Sequence, residues 1–153
     1  MTEVALAREV RDGDVVLTLA GEVDLANAAD VALDLRREVG EVRRALALDL
    51  IDVTYLDSAG VRLLFDLADR LHARGRELVV VARPGSLLWS VLRMVAIDRV
   101  VVVAQDVDAG LARARAEGGR AGGLAARMVT GVTCSTQWRD VRATVGGWMR
   151  NRG

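Results

Sequence analysis

The chain of 153 residues has few of the side chains that most often carry chemistry in proteins. It has one cysteine, Cys134, so an intrachain disulfide and a zinc cluster built from cysteines are both excluded. Its one histidine, His72, leaves little room for a metal site or for histidine-based catalysis. We therefore expect no catalytic residue, no metal ion and no cofactor.

Aromatic residues make up only 3% of the chain, although 52% of it is hydrophobic, so Val, Leu and Ala must form the core. No apolar run approaches the roughly 18 to 20 residues that a membrane span requires. The start of the chain lacks the basic segment and apolar run that are typical of a signal peptide. We therefore expect a soluble, cytoplasmic protein without a transmembrane segment.

The charges balance overall but are unevenly distributed. Residues 1–114 carry 19 acids and 14 arginines, a net charge of −5, whereas residues 115–153 carry seven arginines and two acids, a net charge of +5. The acidic part argues against direct binding of nucleic acid. The glycine-rich run 117–123 indicates a linker, which predicts a domain over 1–116 and a partly ordered tail over 117–153. This basic, tryptophan-containing tail is a candidate for docking on protein, its own domain included, or on a membrane.

The apolar pattern predicts the element order β-β-α-β-α-β-α-β-α. Asp12-Gly13 between two strand-like runs is a strong hairpin signal. The order predicts an α/β fold with a mostly parallel, mixed sheet of about five strands, an N-terminal hairpin and four helices. Strands are expected over 4–10, 15–20, 45–50, 78–82 and 100–103, a loop over 51–57, and helices over 25–39, 58–73, 84–95 and 107–114.

The most informative segment is Leu56 to Val61, where a strand-and-loop pattern changes to a helical one. At this boundary, either Asp57 or Ser58 can accept hydrogen bonds from the free backbone N–H groups of the helix start, and Gly60 would ease a tight turn. A phosphate on Ser58 would meet the positive end of the helix dipole and several unpaired N–H donors. Ser58 is therefore predicted to be a helix cap, a chemical switch, or both.

A second acidic loop, Gly21-Glu22-Val23-Asp24, follows the second predicted strand. Because loops that follow parallel strands gather at one edge of a sheet, we expect Asp24 and Asp57 to lie side by side around the Ser58 hydroxyl. Neither loop contains a histidine or lysine to act as a base for nucleophilic catalysis. The acids would repel an added phosphate, so modification of Ser58 would alter this surface sharply.

These segments resemble a STAS domain, in particular that of the bacterial anti-sigma factor antagonists. The resemblance covers about residues 3–114. It is carried by Gly21-Glu22-Val23-Asp24, Leu48-Asp49-Leu50, Tyr55 to Val61 and Leu78-Val79-Val80-Val81. It implies that a partner anti-sigma factor, itself a serine kinase, binds the unphosphorylated chain and thereby frees a sigma factor. Phosphorylation would release the partner.

Carried over to this chain, the resemblance makes Ser58 the phosphate acceptor and Asp57 its neighbour. Asp24 becomes the loop acid beside them, and Gly60 the turn glycine. Ala59 departs from the pattern, because many family members have Ser or Thr at this position. The departure removes a second hydroxyl but leaves the acceptor in place.

The apolar face of the predicted helix after Ser58 is wider than core packing requires. Leu63 and Leu67 flank the stripe that would cover the core, so they either contact a partner or pack deeper against a neighbouring helix. Both alternatives remain open at this point. The residues predicted to bind the partner are Asp24, Asp57, Gly60, Leu63 and Leu67.

Two other functions are compatible with the sequence. One is a constitutive STAS subunit, such as the cytoplasmic partner of a lipid-transport ATPase or a signalling scaffold, which would need no phosphorylation. The other is a small α/β enzyme that uses Asp24, Asp57 and Ser58 as a catalytic cluster. No base or set of metal ligands accompanies these three residues, which disfavours the enzyme.

Overall fold

Strands and helices alternate along residues 4–118, the part of the chain that the computed structural model describes. The α/β class, the five strands and the four helices are confirmed, in the predicted order. The strands are β1 (Val4–Arg11), β2 (Asp14–Val23), β3 (Ala45–Leu56), β4 (Glu77–Val81) and β5 (Val102–Ala104). The helices are α1 (Ala28–Val39), α2 (Ser58–His72), α3 (Leu87–Met94) and α4 (Val107–Gly118), with a 3₁₀ turn at Ile97–Arg99 before β5.

The sheet has the spatial order β1-β2-β3-β4-β5. Strand β1 runs antiparallel to β2, and every other neighbouring pair is parallel. The hairpin between β1 and β2 turns at Asp12 and Gly13, whose φ angles of 52° and 85° are the positive values that a tight two-residue turn demands. The remaining connections pass through helices, which is why those strands are parallel.

Alternating residues of the strands supply two separate apolar layers. Leu46 and Leu48 face the side covered by α1, α2 and α3, whereas Ala45 and Ala47 face the side covered by α4 alone. The small residues let α4 approach closely. A Cβ at Gly110 of this helix would collide with the side chain of Val79, so the contact requires glycine.

The loop predicted over 51–57 is wrong, because β3 continues to Leu56. Its last residues pair with an equally extended β2, Ala20 opposite Asp52 and Glu22 opposite Tyr55, with irregular register between them. Val53 is buried while its neighbours on either side are exposed. This is the alternation of a half-buried strand, whose polar half resembles a loop in the sequence.

Three helix boundaries also differ from the prediction. Helix α1 begins at Ala28 rather than residue 25, after a turn in which Asp24 O accepts from Ala28 N at 2.8 Å. Helix α3 begins at Leu87, because Ser86 Oγ accepts from Trp89 N at 3.1 Å and caps it; Pro84 lies in the preceding turn. Helix α4 continues to Gly118. The predicted tail lies, from residue 119 onward, outside the described residues.

The end of α4 is fastened to the start of β2 through a buried carboxylate. Asp14 is fully buried, and its Oδ2 accepts from Arg115 Nε and Nη2 at 3.0 and 2.8 Å, while Oδ1 accepts from Ala45 N at 3.2 Å. The hydrogen bonds to Asp14 raise the pKa of the Arg115 guanidinium. Helix α4 therefore ends at the edge of the sheet where the parallel strands begin. Within residues 4–118, no helix combines the length and apolar character needed to cross a membrane.

Candidate functional site: the exposed serine at the start of α2

Asp57 fixes the start of α2. It has extended backbone angles, and its Oδ1 accepts from Ala59 N at 2.8 Å and from Gly60 N at 3.1 Å. These are two of the N–H groups that a helix start leaves without partners, and a carboxylate there also interacts favourably with the helix dipole. Asp57 is therefore the N-cap residue of α2.

The same carboxylate joins α2 to the loop after β2. Asp57 Oδ2 accepts from Leu25 N at 3.0 Å, and Asp57 N donates to Val23 O at 3.2 Å. The two loops expected to lie side by side are thus in direct contact. One side chain holds both, so the relative position of the loops depends on Asp57.

Ser58 is the first residue of α2 and is exposed to solvent. Its hydroxyl makes no hydrogen bond to another residue in the 4–118 segment. Ser58 is therefore not the helix cap, which corrects one of the two roles predicted for it. The N–H groups of Ala59 and Gly60 are already bonded to Asp57, so a phosphate on Ser58 would not find them free.

Asp24 lies on the neighbouring loop, but its carboxylate is engaged with that loop. Its Oδ1 accepts from Ala26 N at 2.9 Å and from Asn27 N at 3.3 Å. The Asn27 side chain bonds to the same loop. Its Oδ1 accepts from Asp24 N at 3.0 Å, and its Nδ2 donates to Glu22 O at 2.7 Å. Asp24 thus shapes the turn and adds negative charge near α2, without a hydrogen bond to the Ser58 hydroxyl.

Three of the residues predicted to bind a partner are instead part of the interior. Leu63 and Leu67 are only 7% and 3% exposed and pack in the core on the side of α1, which corrects the interpretation that they form a docking strip. Gly60 is buried inside α2 and not in a turn. A Cβ at Gly60 would collide with Leu56 and lie 3.2 Å from Val23 Cγ1, so glycine is needed for close packing.

Two exposed side chains beside Ser58 escaped the sequence prediction. Leu25 is 81% exposed and Tyr55 is 47% exposed, values that are high for large apolar groups. Leu25 falls in the predicted helix over 25–39, whereas the structure places it in the turn before α1. The pair Asp24 and Asn27 was the available signal, since Asp and Asn at this spacing favour a turn before a helix. We refer to Ser58, Leu25, Tyr55 and the turn 24–27 as the Ser58 surface.

The nearest basic residue along α2 is Arg62, one helical turn after Ser58. Its Nε lies 3.8 Å from Asp66 Oδ2, and both side chains are more than half exposed. Within the described residues, no group of three or more His, Cys, Asp or Glu side chains is placed to hold a metal ion. The fold and site together define a small α/β domain that presents a free serine hydroxyl, an acidic cap and two exposed apolar side chains at one sheet edge.

The chain belongs to the STAS domain family, whose profile matches residues 5–110. Among proteins related in sequence, it is 35% identical over 69 residues to BtrV of Bordetella bronchiseptica, which is provisionally described as an anti-sigma factor antagonist. The match covers 45% of this chain and 60% of BtrV, less than two thirds of that relative.

Solved structures share the fold. An anti-sigma factor antagonist from Mycobacterium paratuberculosis superposes with a TM-score of 0.66 at 24% identity, over 74% of this chain and 95% of that one. The anti-sigma factor antagonist SpoIIAA in its unphosphorylated form gives 0.56 at 19% identity, over 72% and 98%. Its phosphorylated form, from Bacillus, gives 0.54 at 18% identity, over 71% and 98%. At these identities the likeness establishes the fold alone.

Proposed function

We propose that this chain is an anti-sigma factor antagonist and that it binds an anti-sigma factor through the Ser58 surface. The anti-sigma factor would also be a serine kinase, and phosphorylation of Ser58 would release it and so regulate transcription that depends on a sigma factor. The exposed, unbonded hydroxyl of Ser58 beside the Asp57 cap is the observation that carries this proposal. The names of the relatives, one of them solved in a phosphorylated form, support it.

The mechanism is electrostatic. A phosphoserine adds about −1.5 to −2 charges at neutral pH. Here the added charge would stand next to the Asp57 carboxylate, which already occupies the N–H donors of Ala59 and Gly60. The phosphate would therefore remain largely uncompensated by this chain and would face the partner. A penalty of about 2 to 3 kcal/mol would weaken binding roughly thirty- to a hundredfold.

The same geometry favours a regulator over an enzyme. Both acids of the site bond to backbone N–H groups, so neither is positioned to take a proton from the Ser58 hydroxyl. A nucleophilic serine requires an adjacent base. We therefore propose that Ser58 is a substrate of the partner and not a catalytic residue.

Phosphorylation tests the acceptor. Anti-sigma factors with a serine-kinase domain, produced from the same genome, are incubated one by one with the full chain and Mg-ATP, and the phosphate is located by mass spectrometry. We expect a single phosphate on Ser58, none in Ser58→Ala, and unchanged transfer in Ser90→Ala, which removes another exposed serine hydroxyl. Transfer that persists in Ser58→Ala would contradict the assignment.

Calorimetric titration with the same anti-sigma factor tests the mechanism. Ser58→Asp and Ser58→Asn have side chains of nearly equal size and differ in charge. We expect Ser58→Asp to bind about tenfold more weakly than Ser58→Asn, because only one of them places a negative charge beside Asp57. Equal affinities would rule out the charge mechanism. Binding to a partner that never phosphorylates the chain would instead favour a constitutive STAS subunit.

A further inference from the structure

A cavity of about 260 Å³ lies away from the Ser58 surface, beside the edge strand β5. Side chains from α3, the 3₁₀ turn, β5 and α4 form its walls. Trp89, Arg93, Asp98 and Arg113 surround apolar contacts that include Leu92 and Val103. None of the lining residues within 4–118 belongs to the Ser58 surface.

The fold brings an aromatic and two basic side chains together at the cavity. Trp89 is half-buried and packs on the core, and Arg93 follows it by four residues on α3, so both lie on the same side of that helix. Arg113 reaches across from α4, with its Nη1 donating to Val103 O at 2.8 Å. Its Nη2 lies 4.0 Å from Glu117 Oε1, an exposed contact.

Two opposite charges line the cavity without pairing. The guanidinium of Arg93 and the carboxylate of Asp98 have no hydrogen-bond or ion-pair partner in the region 4–118, and they do not pair with each other. Ala96 lies between them with a φ of 53°, a left-handed conformation that residues with a Cβ seldom adopt. This turn ends α3 and, with Ile97 fully buried, returns Asp98 to the cavity that Arg93 also lines.

We propose that this cavity binds a small aromatic carboxylate. The ring would pack against the Trp89 indole, and the carboxylate would lie between Arg93 and Arg113, because a guanidinium presents several N–H donors in the geometry that a carboxylate accepts. Two guanidinium groups against one carboxylate favour an anion, while Asp98 disfavours ligands of high negative charge. The volume suits a molecule with a single ring, at the small end of ligand pockets.

Benzoate is the probe for this proposal. In the full chain carrying Trp138→Phe and Trp148→Phe, Trp89 is the single remaining tryptophan, and its emission reports the cavity. We expect benzoate to change this emission saturably. Benzamide, the neutral analogue of the same shape, and acetate, the anion without a ring, should each bind at least about tenfold more weakly, since each lacks one of the two interactions.

Two charge variants, expected to change benzoate affinity in opposite directions, test where the carboxylate binds. Arg93→Ala should weaken benzoate binding about tenfold, whereas Asp98→Asn should strengthen it several-fold by removing a like charge. Arg99→Ala, which removes an exposed guanidinium outside the cavity lining, should leave it unchanged. All three side chains are exposed, so the variants should fold, which thermal unfolding verifies.

Backbone amide shifts of the unaltered chain give a second readout that needs no substitution. Addition of benzoate should shift amides between residues 89 and 103 and around Arg113, and leave those around Ser58 in place. The proposal would be overturned by an absence of saturable binding, by equal affinities for benzoate and benzamide, or by shifts confined to other parts of the chain.

Discussion

Asp57 makes three hydrogen bonds with one carboxylate, two to the start of α2 and one to Leu25 N. We expect Asp57→Ala to lower the free energy of unfolding by about 2 kcal/mol, because it removes a helix cap and a charged contact between two loops. The measurement is urea unfolding. Asp106→Ala is the matched control, since within residues 4–118 the Asp106 carboxylate accepts only from Ala109 N, and its loss should cost about 1 kcal/mol. Equal losses would mean that neither the second cap bond nor the contact with Leu25 adds stability.

Gly60 provides a second test at a single residue. Alanine favours a helix over glycine by about 1 kcal/mol, so Gly60→Ala would stabilise α2 if space were available. A Cβ there collides with Leu56, and we expect a net loss of about 1 to 3 kcal/mol. Gly40→Ala is the control, because no neighbouring atom of the described residues lies within 4 Å of its added Cβ, and it should be neutral or slightly stabilising. Thermal unfolding measures the stability of the two variants. Stabilisation by Gly60→Ala would contradict the close packing at this position.

At the scale of elements, α4 depends on Arg115 for its attachment to the start of β2. Arg115→Ala would leave the buried Asp14 carboxylate with Ala45 N and with Arg44 Nε at 3.5 Å. We expect the free energy of unfolding to fall by about 2 kcal/mol, below the full cost of breaking a buried pair, because Arg115 is partly exposed. Arg11→Ala, which removes surface ion pairs to Glu9 and Asp108, should cost less than about 1 kcal/mol. If urea unfolding showed equal losses of unfolding free energy for Arg115→Ala and Arg11→Ala, the burial of Asp14 would not strengthen its ion pair.

The elements themselves were largely predictable, because apolar periodicity reports which side of a strand or helix is buried. The second half of β3 was missed for the same reason. Asp52, Thr54 and Tyr55 are exposed there, so a strand with a single buried residue among them resembles a polar loop. The predicted start of α3 at residue 84 is also wrong. Proline is common in the first turn of a helix, but the cap here is Ser86, two residues after Pro84.

The site was predictable in its chain positions but not in its side-chain roles. The order of the strands brings the loops of Asp24 and Asp57 together, and topology alone predicts that. Which oxygen bonds to which N–H depends on the exact loop conformations, so the hydrogen bonds of Asp24 within its own turn could not be predicted from the sequence. The burial of Leu63 and Leu67 was also beyond prediction. The apolar face of α2 can be read from the sequence, but how closely α1 packs against that face cannot.

At the scale of the whole molecule, the proposed anti-sigma factor would cover the exposed apolar side chains of the Ser58 surface. Leu25→Ala should weaken binding of the anti-sigma factor about tenfold, since an exposed leucine at an interface loses its buried area on truncation. Leu33→Ala removes a leucine that is 49% exposed on α1, outside the Ser58 surface, and should leave affinity unchanged. Calorimetric titration compares the two. An equal effect of both substitutions would place the interface elsewhere or spread it over α1.

The attachment of Arg115 to Asp14 has a practical consequence for measurements on this protein. It holds the last described residues at the edge of the sheet where the parallel strands begin, and Ser58 follows β3 at the opposite edge. A sensor surface coupled through a cysteine substituted for the exposed Ala116, in a chain that carries Cys134→Ser, is therefore joined to the domain from the side away from the Ser58 surface. Immobilised in this way, the chain should present Ser58 outward to a kinase in solution, with no engineered handle near the interface.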